Sequence, residues 1–163
     1  MEGIAMNDYI IRKAELQDIE RIQELSQEFI VQEKEKINGE YMTSLEWALT
    51  NDGYENYKRN IENDWIFVVS HNEKIIGYMT CWINKMQKWD KYKTLEVGNL
   101  YIQEVHRSNG LGTRLINIAK DLCKENNIQY LEVKVLCDNE KANNFYKRNG
   151  LNAYMLTQYA KID

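Results

Sequence analysis

The chain has 163 residues, enough for one domain that buries roughly 70% of the surface its unfolded form exposes, and too few for two ordinary domains. Hydrophobic residues at 44% and charged residues at 28% match ordinary soluble globular proteins, which excludes a disordered or fibrous chain. Lys and Arg number 21 against 25 Asp and Glu, a net charge of −4 without the basic excess that binds phosphate backbones, so nucleic acid is not an expected partner.

No run approaches the ~18 apolar residues of a membrane span, and Met1 to Ile11 lacks the basic start and apolar stretch of a secretory signal. The expectation is a cytoplasmic protein without a membrane partner. Cys81, Cys123 and Cys137 are odd in number and widely spaced, which suits reduced packing residues better than a disulfide framework. With only His71 and His106 and no HExxH or CxxC spacing, no metal is expected.

In chain order, Tyr9 to Lys13 reads as a strand, followed by a helix carrying Leu16, Ile19, Ile22, Leu25 and Phe29. Gln32 to Glu40 reads as a helix end and loop. Thr43-Ser44-Leu45-Glu46 has the form of a capping box and predicts the start of a second helix, whose Trp47, Tyr54 and Tyr57 suit either core or pocket. Ile66–Ser70 and Ile75–Ile83 predict a hairpin around His71-Asn72-Glu73-Lys74. Leu95–Ile102 predicts a strand broken by a bulge at Gly98-Asn99. Leu111, Leu115, Ile118 and Leu122 mark the most regular helix. Tyr130–Val135 predicts a strand, Asn139–Arg148 a short helix ended by Asn149-Gly150, and Ala153–Ala160 a last strand. These elements describe one α/β domain over 1–163: a mixed, mostly antiparallel sheet with helices on both faces.

The chemistry is concentrated in Arg107-Ser108-Asn109-Gly110-Leu111-Gly112-Thr113, between a strong strand and the most regular helix. Small residues there let backbone N–H groups converge at a helix start, where the dipole adds positive potential; the arrangement suits an anion, most naturally a pyrophosphate. A steric solution to the strand-to-helix turn is the plainer alternative. Gly112 is followed by Thr113-Arg114, so a Walker loop is excluded, and Leu115 stands where a dinucleotide fingerprint has its third small residue.

Arg107, Gly110 and Gly112 match the Arg/Gln-x-x-Gly-x-Gly/Ala signature, and Asn139-x-x-Ala142-x-x-x-Tyr146-x-x-x-Gly150 matches a second pattern; on these residues the chain resembles the GNAT superfamily of N-acetyltransferases. The resemblance implies acetyl-CoA as donor. Its pyrophosphate would rest on backbone amides from Arg107 through Ser108, Asn109, Gly110, Leu111 and Gly112 to Thr113, and its pantetheine along Leu100, Tyr101 and Ile102. Counting 11 positions back from Arg107 reaches Glu96, which the resemblance to the histone-acetyltransferase branch implies as general base. Partial burial beside the bulge suits it to take an ammonium proton directly or through water; the plain alternative is a solvated strand glutamate paired with a lysine. Backbone N–H groups around Leu100 are implied as donors to the thioester oxygen. Tyr146 is implied as general acid, with Asn139 near the pantetheine, against the alternative of a packing aromatic beside Phe145. His106 is expected to face solvent and His71 to sit in a turn.

The implied activity is transfer of an acetyl group to a primary amine of a small molecule or peptide by direct attack in a ternary complex. A silent acyl-CoA-binding sensor or scaffold, and a nucleotide-binding Rossmann-like domain, are the competing readings. By resemblance the acceptor enters between the first two helices and the late strands, which brings in Phe29, Tyr41, Trp47, Tyr54 and Trp82, with Glu46 and Asp52 as acidic neighbours. Dimers are common in the superfamily, and a homodimer is left open because no segment identifies an interface.

Overall fold

A computed structural model describes residues 8–34, 46–63, 65–84 and 91–158. Tyr9–Lys13 (β1) leads through a 3-10 turn at Leu16–Asp18 into Ile19–Lys34 (α1). A second 3-10 turn, Trp47–Leu49, precedes Asn51–Glu62 (α2). Ile66–His71 (β2), Lys74–Ile83 (β3) and Thr94–Ile102 (β4) follow, then Leu111–Glu125 (α3), Tyr130–Val133 (β5) and Glu140–Arg148 (α4). The five strands lie in the order β1-β2-β3-β4-β5, antiparallel except for the parallel β4–β5 pair.

Side-chain alternation divides the core into two layers. On one face Met79, Cys81, Leu95 and Val97 pack against Leu111, Leu115, Ile116 and Ala119 of α3. On the other, Val68, Tyr78 and Tyr101 pack against Ile19, Ile22 and Leu25 of α1 and Tyr57 and Ile61 of α2. A buried hydroxyl cluster joins that second face, with the Ser26 oxygen 2.9 Å from Tyr57 Oη and 2.7 Å from Tyr78 Oη. The cysteines are free; Cys81 and Cys123 are buried, and burial pushes the Cys81 thiol up to about 12, while Cys137 is exposed.

Local chemistry sets the element ends. Asp18 accepts from Glu15 N–H at 2.8 Å and from both terminal nitrogens of Arg12 at 2.6 and 3.0 Å, fixing the turn from β1 into α1. Burial alone would raise the Asp18 carboxyl, but the Arg12 and Glu15 hydrogen bonds outweigh it and hold it below its ordinary value. A carboxyl lowered by folding contributes stability above its unfolded range, which is lost as pH falls through the folded value. Asp18→Asn is therefore expected to cost about 1–3 kcal/mol at neutral pH. The difference from the parent should vanish on acidification, as followed by urea unfolding across pH.

The expected capping box lies outside the described residues except for Glu46. Among the described residues Glu46 is helical, and the helix Asn51–Glu62 begins where the Thr50 hydroxyl accepts from Gly53 N–H at 3.3 Å. Tyr57 belongs to the core, whereas Trp47 and Tyr54 are 44% and 38% exposed. The hairpin turns on Asn72 and Glu73, both with positive φ (48° and 63°), the two-residue geometry that follows the twist of the strands. The strand expected over Ala153–Ala160 does not form among the described residues: 153–158 join no ladder, and Tyr154 is 96% exposed. Apolar alternation makes a strand only where a neighbour supplies a backbone ladder, and none reaches this segment.

Candidate functional site

Two irregularities in β4 shape the centre of the sheet. Thr80 of β3 faces Asn99 while Cys81 faces Val97, so Gly98 is the extra residue of a bulge, as its position in the sequence suggested. A Cβ at 98 would fall 1.8 Å from the Trp82 ring, so only glycine lets that indole lie over the backbone here. The second irregularity is a split. β5 pairs only with Thr94 through Val97, whereas β4 runs on to Ile102. Leu100, Tyr101 and Ile102 thus keep their ladder with β3, and their other edge pairs with no strand among the described residues.

Glu96 sits at the root of this split. It pairs with Trp82 across β3 and with Glu132 across β5, on the face opposite Leu95 and Val97, and is 5% exposed. Lys134 Nζ donates to both carboxylate oxygens at 3.0 and 2.9 Å. Of the two sequence readings, the lysine partner is present and the solvation is not. The Lys134 side chain is 79% exposed, so the ion pair spans the boundary between buried sheet and water. The sequence reading did not single out Lys134; its parity with Glu132, one residue beyond β5, is the only signal it offers.

The loop after β4 supplies a run of donors. Ser108 and Gly110 have positive φ (67° and 72°), turning the chain into α3. The first helical bond is Arg114 N–H to the Gly110 carbonyl at 3.1 Å, and the backbone N–H groups of Ser108, Asn109, Gly110, Leu111, Gly112 and Thr113 have no acceptor among the described residues. The space where a Cβ of Gly110 would stand is open to at least 4 Å, so the cradle has room for a ligand oxygen. Six amides at the positive end of a 15-residue helix are the features of a phosphate site.

Side chains of this loop hold its shape. Asn109 Nδ2 donates to the His106 carbonyl at 3.0 Å and lies 3.4 Å from Tyr9 Oη. Arg107 turns away from the loop, donating to the Ile102 carbonyl at 2.7 Å and to Gln32 Oε1 at 2.9 Å, with its guanidinium over the Tyr101 ring. Tyr101 in turn points to α1, where its hydroxyl donates to Glu28 and accepts from Gln32, so only its backbone is available at the open edge. His106 does not face solvent as expected. It is half-buried, 3.1 Å from Tyr9 Oη and packed on His71, and burial together with His71 lowers it from its ordinary value.

From the α3 face come α4 and Tyr146. Phe145 packs over Gly112, where a Cβ would come within 2.9 Å of its ring, and Tyr146 packs edge-on against Phe145. No described residue hydrogen-bonds the Tyr146 hydroxyl, and burial pushes it up to about 12, so it holds its proton throughout the neutral range. Asn139 is the N-cap of α4, its side-chain oxygen accepting from Ala142 N–H at 3.2 Å. Asn143, missed in the sequence, donates to the carbonyls of Leu136, Cys137 and Asn139 and so fixes the β5–α4 loop.

The expected acceptor residues are spread over the α1–α2 face. Phe29 is partly buried against Tyr101, Trp82 lies beside Glu96, Trp47 is half-exposed ahead of α2, and Tyr41 lies outside the described residues. Among the described residues no helix is long and apolar enough to cross a membrane, and no cluster of His, Cys, Asp and Glu has metal-site geometry.

Comparison with known proteins agrees with this architecture. An uncharacterized N-acetyltransferase of Methanocaldococcus jannaschii is 29% identical over 110 residues, 68% of this chain and 47% of that protein, so the match spans about half of the relative's length. A Bacillus subtilis protein provisionally named a ribosomal protein bS18-alanine N-acetyltransferase is 26% identical over 86% of this chain and 79% of its own. Among solved structures, glucosamine-6-phosphate N-acetyltransferase from Arabidopsis thaliana shares the fold, with a TM-score of 0.67 at 17% identity over 95% of this chain and 99% of that one. Residues 14–151, from the end of β1 to the residue after Gly150, match the acetyltransferase (GNAT) family, and with the split sheet and the glycine loop inside that span the chain belongs to this family.

Proposed function

We propose that this protein is an N-acetyltransferase that moves the acetyl group of acetyl-CoA to a primary amine by direct attack in a ternary complex. The observation that carries the reading is the run of six unpartnered amides from Ser108 to Thr113 at the start of α3, opening beside the unpaired edge of β4. The amides hold the donor's pyrophosphate, and Leu100 to Ile102 offer backbone groups to the pantetheine amides as a neighbouring strand would.

The thioester supplies an activated acyl group. Glu96 accepts a proton from the acceptor's ammonium, leaving a neutral nucleophile. A free backbone N–H near the bulge, around Leu100, stabilises charge on the carbonyl oxygen. Tyr146 keeps its proton at neutral pH and passes it to the departing sulfur. In this reading the base and the acid reach the thioester at the split between β4 and β5. Acceptors of the relatives, an alanine α-amine and an amino sugar, are both primary amines, and the acceptor proposed here is of that class, on a small molecule or peptide.

The test incubates the purified protein with acetyl-CoA and a panel of primary amines, with acetylated products read by mass spectrometry. Acetylation of one amine class well above the acceptor-free control is the expected result. Binding of acetyl-CoA without transfer to any amine would favour the sensor reading, and affinity for NAD in place of CoA would remove the donor assignment. In the same assay Tyr146→Phe is expected to lower kcat by about 10²-fold, with KM for acetyl-CoA unchanged because the loop that holds it is untouched.

A further inference from the structure

We propose that Lys134 is an acetylation site of the protein itself, modified in cis by the same centre. The inference rests on the acetyltransferase reading above. Its basis is the geometry of one ion pair: Lys134 Nζ lies 3.0 and 2.9 Å from the two oxygens of Glu96, where that reading seats the acceptor's ammonium. Lys134 is the residue after the last paired position of β5, so its side chain leaves from the mouth of the split between β4 and β5. The chain thus holds a primary ammonium of its own against the base, beside the open edge of β4.

Burial and exposure divide the pair in the way such a step requires. The carboxylate is 6% exposed and fixed by the sheet, whereas the lysine side chain is 79% exposed and reaches the carboxylate on a flexible stem. An ion pair at such an edge holds the amine weakly enough for it to move toward a thioester in the split. Lys141 and Lys147 on α4 hydrogen-bond no carboxylate among the described residues, and the exposed Lys124 pairs with the likewise exposed Asp121 on α3, away from Glu96.

The step balances without another reactant. The Lys134 ammonium gives one proton to Glu96, and the neutral Nζ forms a C–N bond with the thioester carbonyl carbon as the C–S bond breaks. The thiolate takes a proton from Tyr146, which is restored from solvent. The second proton leaves the nitrogen as the amide forms, so an ammonium and a thioester become an acetamide, a thiol and one released proton.

The test uses the full chain with acetyl-CoA and no acceptor. Intact-mass spectrometry should show addition of one acetyl group, peptide mapping should place it at Lys134, and the fraction converted per unit time should not change on dilution of the protein. Lys134→Arg should abolish it. Glu96→Gln should slow it by about 10²-fold while background acetylation of Lys141 and Lys147 is unchanged. Acetyl groups spread over the exposed lysines at a rate indifferent to Glu96→Gln, or a rate that rises with protein concentration, would overturn the proposal. If external amines are acetylated and Lys134 is not, the proposal fails and the acetyltransferase reading stands. If neither is acetylated although acetyl-CoA binds, both fail. A melting curve for each variant separates loss of chemistry from loss of fold.

Discussion

Glu96→Gln is expected to lower kcat by about 10²–10⁴-fold with the best acceptor, while KM for acetyl-CoA stays the same. The substitution keeps the size and shape of a side chain that is 5% exposed and still accepts a hydrogen bond from Lys134 through its amide oxygen, so the sheet is preserved. What it removes is the group that takes the ammonium proton. The donor is held elsewhere, by the amides of Ser108 to Thr113, which is why its KM is insensitive. Steady-state kinetics with both substrates varied decide the matter. An unchanged kcat would reduce Glu96 to the partner of Lys134.

Leu115→Ala should be the most destabilising simple truncation near the site. Leu115 is wholly buried on the first turns of α3, beneath the loop and against the β4 face formed by Leu95 and Val97. Removing its branched end leaves a cavity that strand and helix backbones cannot close, at a cost of about 2–5 kcal/mol. At roughly 2–4 °C per kcal/mol for a chain of this size, the melting temperature should fall by about 4–20 °C. Because the six free amides lie in the loop that leads into α3 and in its first turn, KM for acetyl-CoA should rise in the same variant. Calorimetry and kinetics on one preparation test both.

Most of the fold was legible because its signals are local. Leu111, Leu115, Ile118 and Leu122 repeat at helical spacing, Asn72-Glu73 interrupts two β-rich runs, and Gly98 breaks a third. Each depends on side chains within a few residues, so one sequence suffices to read it. The glycine loop was legible for the same reason, since the positive φ at Gly110 is a local backbone demand that glycine meets. Where expectation and structure parted, the deciding contact was remote. Tyr154 and its neighbours read as a strand but have no ladder partner. His106 reads as exposed, yet Tyr9, 97 positions earlier, draws it into a cluster with His71.

The sequence by itself determined the family resemblance, the order of elements up to α4, the bulge and the loop that turns its amides outward. Backbone preference and hydrophobic period carry those features over short distances, so they survive without knowledge of the rest of the chain. Tertiary structure alone decided how Glu96 is employed. The split of β4 from β5 after Val97, the burial of the carboxylate and the arrival of Lys134 from 38 residues away depend on how strands far apart in sequence come to lie side by side. Charge pairing across a sheet is fixed by register, and register is a property of the folded molecule.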